Sequence, residues 1–467
     1  MASSRDSRDF TGTSVARKFP VVIRRSLVLA LLAGASLAVA GSARAASKIA
    51  IAAAGDIAPG GGVFAGPSFV GEPTAAGNGW VAFRSLVTDG QSPEAIIATN
   101  FATRARVQVA RVGQTVNEEI GRIKQFLGRP TINAQGDVAF AAEITPPEAD
   151  TPPDLTAGLP PVPAGVFLWS GGTLSVIAKP GLETALGVLD LTTPVNFLTL
   201  ETGIDIAERT PSLNDVGDVA FVAATRDGTT QRGAIFRGRA GGDPSPVLTL
   251  GTTWEGRRFA ILGPPALNNA GTMAFHALAE GRGVVDGIFT LGPAGITLLV
   301  RDGTTPAALP ASFTVDPIAE FHDVVSINDA GDVLCTGGPL FDNSDDANFD
   351  DIDGSPGVVL IKSGAPPLLV GFPGQRVELF EERLGRLTEL ALGPEEGSRP
   401  AVPALGPDGT VVFFAIVNNG SGQAIFRVDP VTRSVFPLVR LGGLTADPTP
   451  IGGTYPVSYT HLTLPTN

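Results

Sequence analysis

An asparagine-to-glycine corner recurs along this chain and limits its possible folds more than any other feature. It reads PTINAQGDVAFAAEI from Pro130, PSLNDVGDVAFVAAT from Pro211, PALNNAGTMAFHALA from Pro265 and VSINDAGDVLCTGGP from Val325. Weaker copies are PTAAGNGWVAFRSLV from Pro73 and PALGPDGTVVFFAIV from Pro403. The aligned glycines, Gly79, Gly136, Gly217, Gly271, Gly331 and Gly409, are 57, 81, 54, 60 and 78 residues apart. The period is just under sixty residues, with insertions in two copies. The units run near 73–129, 130–210, 211–264, 265–325, 326–402 and 403–456 within a repeat domain over 46–456.

The unit has a physical reading. Asparagine at the first position can bond its own turn backbone, and glycine three residues later can take positive φ. Together they predict a hairpin corner. A strand follows, such as Asp218 to Ala223, with Val219, Phe221 and Ala223 on one face and Ala220 and Val222 on the other. Both faces are apolar, so the strand is expected between packed layers. A second strand recurs as GVFLW from Gly165, GAIFR from Gly233 and QAIFR from Gln423. A third recurs as LSVIA from Leu174, ITLLV from Ile296 and FPLV from Phe436. Three or four strands per unit, each sheet covered by its neighbours, predict an all-β propeller-like fold of about six or more blades. Tandem small β-sandwiches and an open solenoid are the alternatives. The rungs of a parallel β-helix are too short for this period.

Composition agrees with many short strands and turns. The 467 residues include 58 Gly and 39 Pro, and only 17% are charged. One cysteine excludes an intrachain disulfide. A net charge of −13 and no basic stripe argue against nucleic acid as a partner.

Both ends read differently from the middle. Arg17, Lys18, Arg24 and Arg25 precede the apolar run Ser26–Ala40, and Ala43-Arg44-Ala45 fits a cleavage site. Residues 1–45 are therefore expected to be an export signal, its apolar run too short for a membrane span. The mature chain is then expected in a secreted, periplasmic or cell-surface location, with no transmembrane span. The first unit is preceded by IAIAAAGDIAPGGGVFAGPSF from Ile49, which matches the tail of a unit: Val300-Arg-Asp-Gly303 and Val439-Arg-Leu-Gly442 carry the same strand-then-glycine step. The repeats thus start mid-unit and stop mid-unit near Pro450–Gly453. Residues 457–467, with VSYTHLTLPT, resemble a translated sequencing-library adapter and are expected to be a non-native tail.

The N-x-x-G-x-x-A-F core resembles the bacterial NxxGxxAF tandem-repeat proteins, the choice-of-anchor surface and secreted proteins, over roughly residues 49–456. The resemblance implies export and surface residence and allows a C-terminal anchor that an interrupted C-terminus would hide. It carries no activity. Ala76 and Gly406 replace the corner asparagine in the first and last copies, and Cys335 stands where phenylalanine is expected.

No residue is picked out as catalytic. His276 and His322 are the only histidines before the tail, too few for a zinc site built from several imidazoles. His276 follows the anchor Phe275 and reads as a structural histidine; His322 with Asp323 lacks a nucleophile motif. Cys335 aligns with Phe140, Phe221 and Phe275 and reads as core. Asp137, Asp218 and Asp332 recur after the corner glycine, which favours a turn or edge role; Asp215 and Asp329 lie inside the corner and are expected to accept backbone bonds. The stretch DNSDDANFDDIDG from Asp342 lacks EF-hand register. It reads first as a solvated acidic loop; as a Ca²⁺ site it would use Asp350, Asp351 and Asp353. Glu378–Leu392 has helical apolar spacing and is expected to form a short helix or a bent strand. Thr145–Ala164 is proline-rich and reads as a surface loop. The leading expectation is a non-catalytic surface or extracellular module binding a protein or glycan, with no cofactor. The alternatives are a carbohydrate-active enzyme using loop carboxylates and a calcium-stabilised adhesion module.

Overall fold

The computed structural model describes residues 51–147, 162–193, 210–228, 230–308, 317–338, 357–378, 384–390, 403–417, 422–429 and 431–440. The expected signal at 1–45, the acidic loop with Asp350, Asp351 and Asp353, and the tail at 457–467 all lie outside these residues. Among the described residues the fold is all β, apart from one 3-10 turn at Gly77–Gly79, and the strands form six sheets. The sheets are the blades of a propeller, each built on an antiparallel meander; in one of them Ala307–Ala308 also pairs parallel with Leu368–Leu369. Blade 1 runs Val63–Ala75, Trp80–Thr88, Glu94–Asn100 and Arg106–Arg111. Blade 2 runs Gly121–Ile132, Val138–Thr145, Val162–Ser170 and Thr173–Ala178. In blade 3 the first strand is split into Gly187–Asp190 and Ser212–Leu213, followed by Val219–Asp227, Thr230–Gly238 and Ser245–Thr249. Blade 4 has the split strand Arg257–Leu262 and Ala266–Leu267, then Met273–Glu280, Val285–Gly292 and Gly295–Arg301. Blade 5 is Glu320–Ile327, Val333–Gly338, Gly357–Ile361 and Leu368–Gly371. Blade 6 has the split strand Leu384–Leu390 and Ala404–Leu405, then Val411–Val417, Gly422–Val428 and Val435–Arg440.

The two-sided apolar strands explain the packing. In four of the six blades the anchor phenylalanine of the second strand lies opposite a phenylalanine of the third. Phe140 pairs with Phe167, Phe221 with Phe236, Phe275 with Phe289 and Phe413 with Phe426. Their rings are stacked with centroids 5.4, 5.7, 6.0 and 5.7 Å apart. Such a pair adds about 0.5–1.5 kcal/mol to the burial of its area. The alternate residues face the other way and enter the next interface. Ala139, Val166 and Leu168 of blade 2 join Val219, Phe221 and Phe236 of blade 3 in one core. The same arrangement recurs between blades 1 and 2, 3 and 4, 4 and 5, and 5 and 6.

Within the segment with helical spacing the described residues are strand. Arg376–Glu378 pairs antiparallel with Leu384–Leu390, and Leu387 and Leu390 both enter the core between blades 5 and 6. A register shift between Leu387 and Glu389 inserts a residue, so two leucines three apart share a face.

Candidate functional site: the corner face of the ring

The repeated polar residues converge where the first strand of each blade turns into the second. In the corner of blade 3, Gly217 donates its N–H to Asn214 O at 3.2 Å and closes the turn. The Asn214 side chain then uses its full bonding capacity. Its Oδ1 accepts from Val216 N at 3.2 Å and Asp218 N at 2.9 Å. Its Nδ2 donates to Asp218 Oδ2 at 3.3 Å and to the backbone carbonyl of Asn268, in blade 4, at 3.1 Å. The last bond crosses to the next blade. Its equivalents are Asn133 Nδ2 to Asn214 O at 3.2 Å, Asn268 Nδ2 to Asn328 O at 3.2 Å and Asn328 Nδ2 to Gly406 O at 3.3 Å. All four asparagines are buried. A chain of amides therefore runs from blade 2 to blade 6.

The second corner residue forms a parallel chain. Asp215 Oδ1 accepts from Ala134 N of the preceding blade at 2.7 Å, and Asn269 Oδ1 accepts from Asp215 N at 2.7 Å. Asp329 Oδ1 accepts from Asn269 N at 2.8 Å. The Asn269 Nδ2 group donates to Asp215 Oδ2 and to Asp329 Oδ2, both at 2.7 Å. Asp215 and Asp329 thus accept backbone bonds as expected, and the donors belong to the blade before them. A side chain at this position reaches sideways because the next corner lies beside it in the ring.

The atypical first and last copies are accommodated locally. Ala76 keeps the backbone bond of an asparagine corner, donating to Trp80 O at 2.9 Å. Asn78, at φ 60°, supplies the missing amide by donating to Ala134 O in blade 2 at 3.4 Å. In blade 6, Asp408 replaces the corner amide and accepts from Thr410 N at 2.9 Å and Thr410 Oγ1 at 2.8 Å. Burial pushes its carboxyl up, but those bonds and the charge of Arg427 outweigh burial and hold it below the usual range. Gly136 shows why glycine ends the corner: its φ is 87°, and a Cβ there would lie 2.6 Å from the Trp80 ring of blade 1.

Asp218 is the most strongly perturbed acid at the corners. It is nearly inaccessible to solvent and pairs with Arg237 and Arg239. Burial alone would raise its pKa. The bonds from Arg239, Arg237 and Asn214 overcome that and lower it to about 2. This carboxylate is spent on holding two guanidinium groups and cannot shuttle protons near neutral pH. Asp137 and Asp332 likewise accept from their corner asparagines, at 3.0 and 3.3 Å.

The other sequence candidates lie apart from the corners. His276 is buried, with Nε2 2.6 Å from Asp286 Oδ1 on the adjacent strand. His322 is on the first strand of blade 5, half-buried. Cys335 is fully buried between blades 4 and 5, where burial pushes its thiol up. Among the described residues no three His, Cys, Asp or Glu side chains cluster to hold a metal ion. Sequence reasoning missed Arg237, Arg239 and the links between blades. The Asx residue at the second corner position, Asp215, Asn269 and Asp329, was the available signal.

Length variation is concentrated elsewhere. The connections from second to third strand run from Thr88 to Glu94, Thr145 to Val162, Asp227 to Thr230, Glu280 to Val285, Gly338 to Gly357 and Val417 to Gly422. Those of blades 2 and 5 are far the longest. All leave from the strand ends opposite the corners.

Residues 35–181 and 161–370 match the sequence profile of a family of unknown function, DUF7453. The chain belongs to DUF7453. No curated protein matches it. Among solved structures, this DUF7453 chain is similar to TolB from Acinetobacter baumannii, at 13% identity and a TM-score of 0.33, over 74% of this chain and 60% of that one. It is also similar to an oligogalacturonate lyase from Vibrio parahaemolyticus, at 12% identity and a TM-score of 0.37, over 75% of each chain. The β-propeller domain of the trilobed protease from Pyrococcus furiosus matches at 10% identity and a TM-score of 0.32, over 80% of this chain and 98% of that domain. Among the described residues no helix is long and apolar enough to cross a membrane.

Proposed function

We propose that this DUF7453 protein is an exported, non-catalytic binding scaffold that recognises a protein or glycan through loops opposite the corner face. One observation carries the reading. The residues repeated from blade to blade are consumed in linking blades, whereas the connections that differ most in length leave from Thr145 and from Gly338, at strand ends opposite the corners. A constant frame with variable loops is the usual construction of a recognition surface. The corner carboxylates are engaged with amides and guanidinium groups, which favours a structural part for them over a catalytic one.

The test uses the purified chain on a printed glycan array, with two variants in which residues 146–161 or 339–356 are replaced by a two-residue hairpin turn. Binding lost in one variant at unchanged melting temperature supports the reading. Release of reducing ends or unsaturated sugars from an arrayed polysaccharide would replace it with a carbohydrate-active enzyme. Export is tested by fusing residues 1–45 to alkaline phosphatase, a reporter active only outside the cytoplasm; an inactive fusion contradicts that part.

A further inference from the structure

One polar tie between blades occurs twice among the described residues, once with an arginine and once with a histidine. In blade 1 it is made by Arg84, which follows the anchor Phe83, and Glu94, which lies opposite Leu86. Arg84 Nη2 and Glu94 Oε1 are 2.7 Å apart, and both side chains are largely buried. Arg84 Nη1 donates to Gly128 O of blade 2 at 2.7 Å, and the guanidinium stands 5.9 Å over the Phe126 ring. In blade 4 the same two positions hold His276, after the anchor Phe275, and Asp286, opposite Leu278. His276 Nε2 is 2.6 Å from Asp286 Oδ1, and both side chains are again largely buried. This pair also reaches the next blade, because Asp286 Oδ2 accepts from Phe321 N of blade 5 at 3.5 Å. Phe321 lies opposite Gly337 as Phe126 lies opposite Ala142, two residues past the anchor position of each blade. The two ties therefore occupy equivalent places. Blades 2, 3, 5 and 6 have Ala141, Val222, Thr336 and Phe414 where these blades have Arg84 and His276.

The two ties differ in one chemical respect. A guanidinium keeps its charge at any pH the fold meets, whereas an imidazole changes charge between about pH 5 and 8. A neutral His276 can still bond Asp286 but no longer balances its charge. A carboxylate held between packed sheets without a counter-charge is destabilising.

The surroundings suit a cation at position 276. The second strand of blade 4 packs on the first strand of blade 5. The titratable residues on the elements around His276 are Asp286, Glu280 on its own strand, Asp302 just past the fourth strand, and Glu320, His322 and Asp323 on the first strand of blade 5. All but His322 are acids. The first strand of its own blade brings Leu262 and Gly263 beside it, and no charge. Arg301 follows Val300, which enters the core between blades 4 and 5, so Arg301 belongs to the other face of its strand.

We propose that His276 is a pH-operated latch between blades 4 and 5. Its imidazolium joins Asp286 as Arg84 joins Glu94. The tie is complete in mild acid, and loss of the proton as pH rises loosens Glu320–Ile327 from blade 4. The interface between blades 1 and 2, held by a guanidinium, keeps its grip over the same range.

Two measurements on the full chain test this. In the first, the histidine rings are labelled with ¹⁵N and followed by NMR from pH 5 to pH 9, with His276→Gln identifying the His276 signal. The ring is expected to be charged at the acid end and neutral at the other. A ring that stays neutral throughout, or charged throughout, overturns the proposal. In the second, hydrogen exchange read by mass spectrometry is compared at pH 6 and pH 8.5, after correction for the intrinsic change of rate with pH. Protection of Glu320–Ile327 is expected to fall at least tenfold, and that of Gly121–Ile132 less than twofold. His276→Arg is expected to keep the protection at both pH values, and His322→Gln to leave the response intact. An equal fall in both strands overturns the proposal, as does a response that His322→Gln removes and His276→Arg does not.

Discussion

The side-chain amide of Asn214 donates to the backbone carbonyl of Asn268, 3.1 Å away in the next blade. This bond makes the corner of one repeat unit a structural part of its neighbour. Asn214→Ala would leave the Val216 and Asp218 N–H groups without their acceptor, and the Asn268 carbonyl with only its bond from Gly271 N. The expected loss is about 2–4 kcal/mol, from two or more unsatisfied groups at about 1–3 kcal/mol each. Urea denaturation of the variant checks it, and a loss below half a kcal/mol would show that the amide does not matter.

Asp218 gives the corners an acid limit. Its folded-state pKa is lowered from 3.8 to about 2, so the carboxylate stabilises the fold above the unfolded value. That contribution is fully present above about pH 5 and is lost as pH falls through the folded value, on the order of 2 kcal/mol in all. Asp218→Asn is expected to be less stable at pH 7, with a smaller decline in melting temperature between pH 5 and pH 2.5. An unchanged slope would contradict the pairing with Arg237 and Arg239.

Cys335 faces Val359 across blade 5, at the position where four other blades stack phenylalanine on phenylalanine. Both members of the pair are small, so Cys335→Phe alone overpacks the site and is expected to cost about 1–3 kcal/mol. The thiol is buried and its pKa raised, so a disulfide reagent such as DTNB should leave it unmodified in the folded protein and react fully in denaturant. Rapid reaction of the native thiol would contradict its burial.

Much of the architecture was legible in the residues. Val219 to Ala223 has apolar side chains on both faces, which only a sheet between sheets can bury, and the corner asparagines mark each place where a blade turns. The structure adds what spacing along one chain does not carry. The pattern shows Asn214 four residues from Asp218; it does not show that Nδ2 reaches across to Asn268, because that partner is set by the ring. The helical spacing of Phe380, Leu384, Leu387 and Ala391 did not tell helix from strand, and Leu384–Leu390 is strand, with a bulge that puts Leu387 and Leu390 into one core. The place of His276 beside Phe275 in the repeat does not show its partner, Asp286, which the adjacent strand supplies. The surface that would meet a ligand was the least legible part, since its loops share no repeat pattern.

Asn269 offers a local test of charge at the corners. Its amide sits between Asp215 and Asp329, donating to both. Asn269→Asp replaces the donor with a third carboxylate. The variant should be destabilised at pH 7 and should recover as pH falls into the carboxylate range, the reverse of the wild-type trend. Melting curves at pH 7 and pH 4.5 separate the two.

The bonds between blades are the centre of this account, and a double-mutant cycle on Asn269 and Asp329 measures one of them directly. The two residues belong to consecutive blades and meet through Asn269 N and Nδ2 at 2.8 and 2.7 Å. Asn269→Ala, Asp329→Ala and the double variant are compared by urea denaturation. A coupling energy of about 1 kcal/mol or more is expected for a contact of this kind. Strictly additive losses would mean that the corners do not hold the ring together.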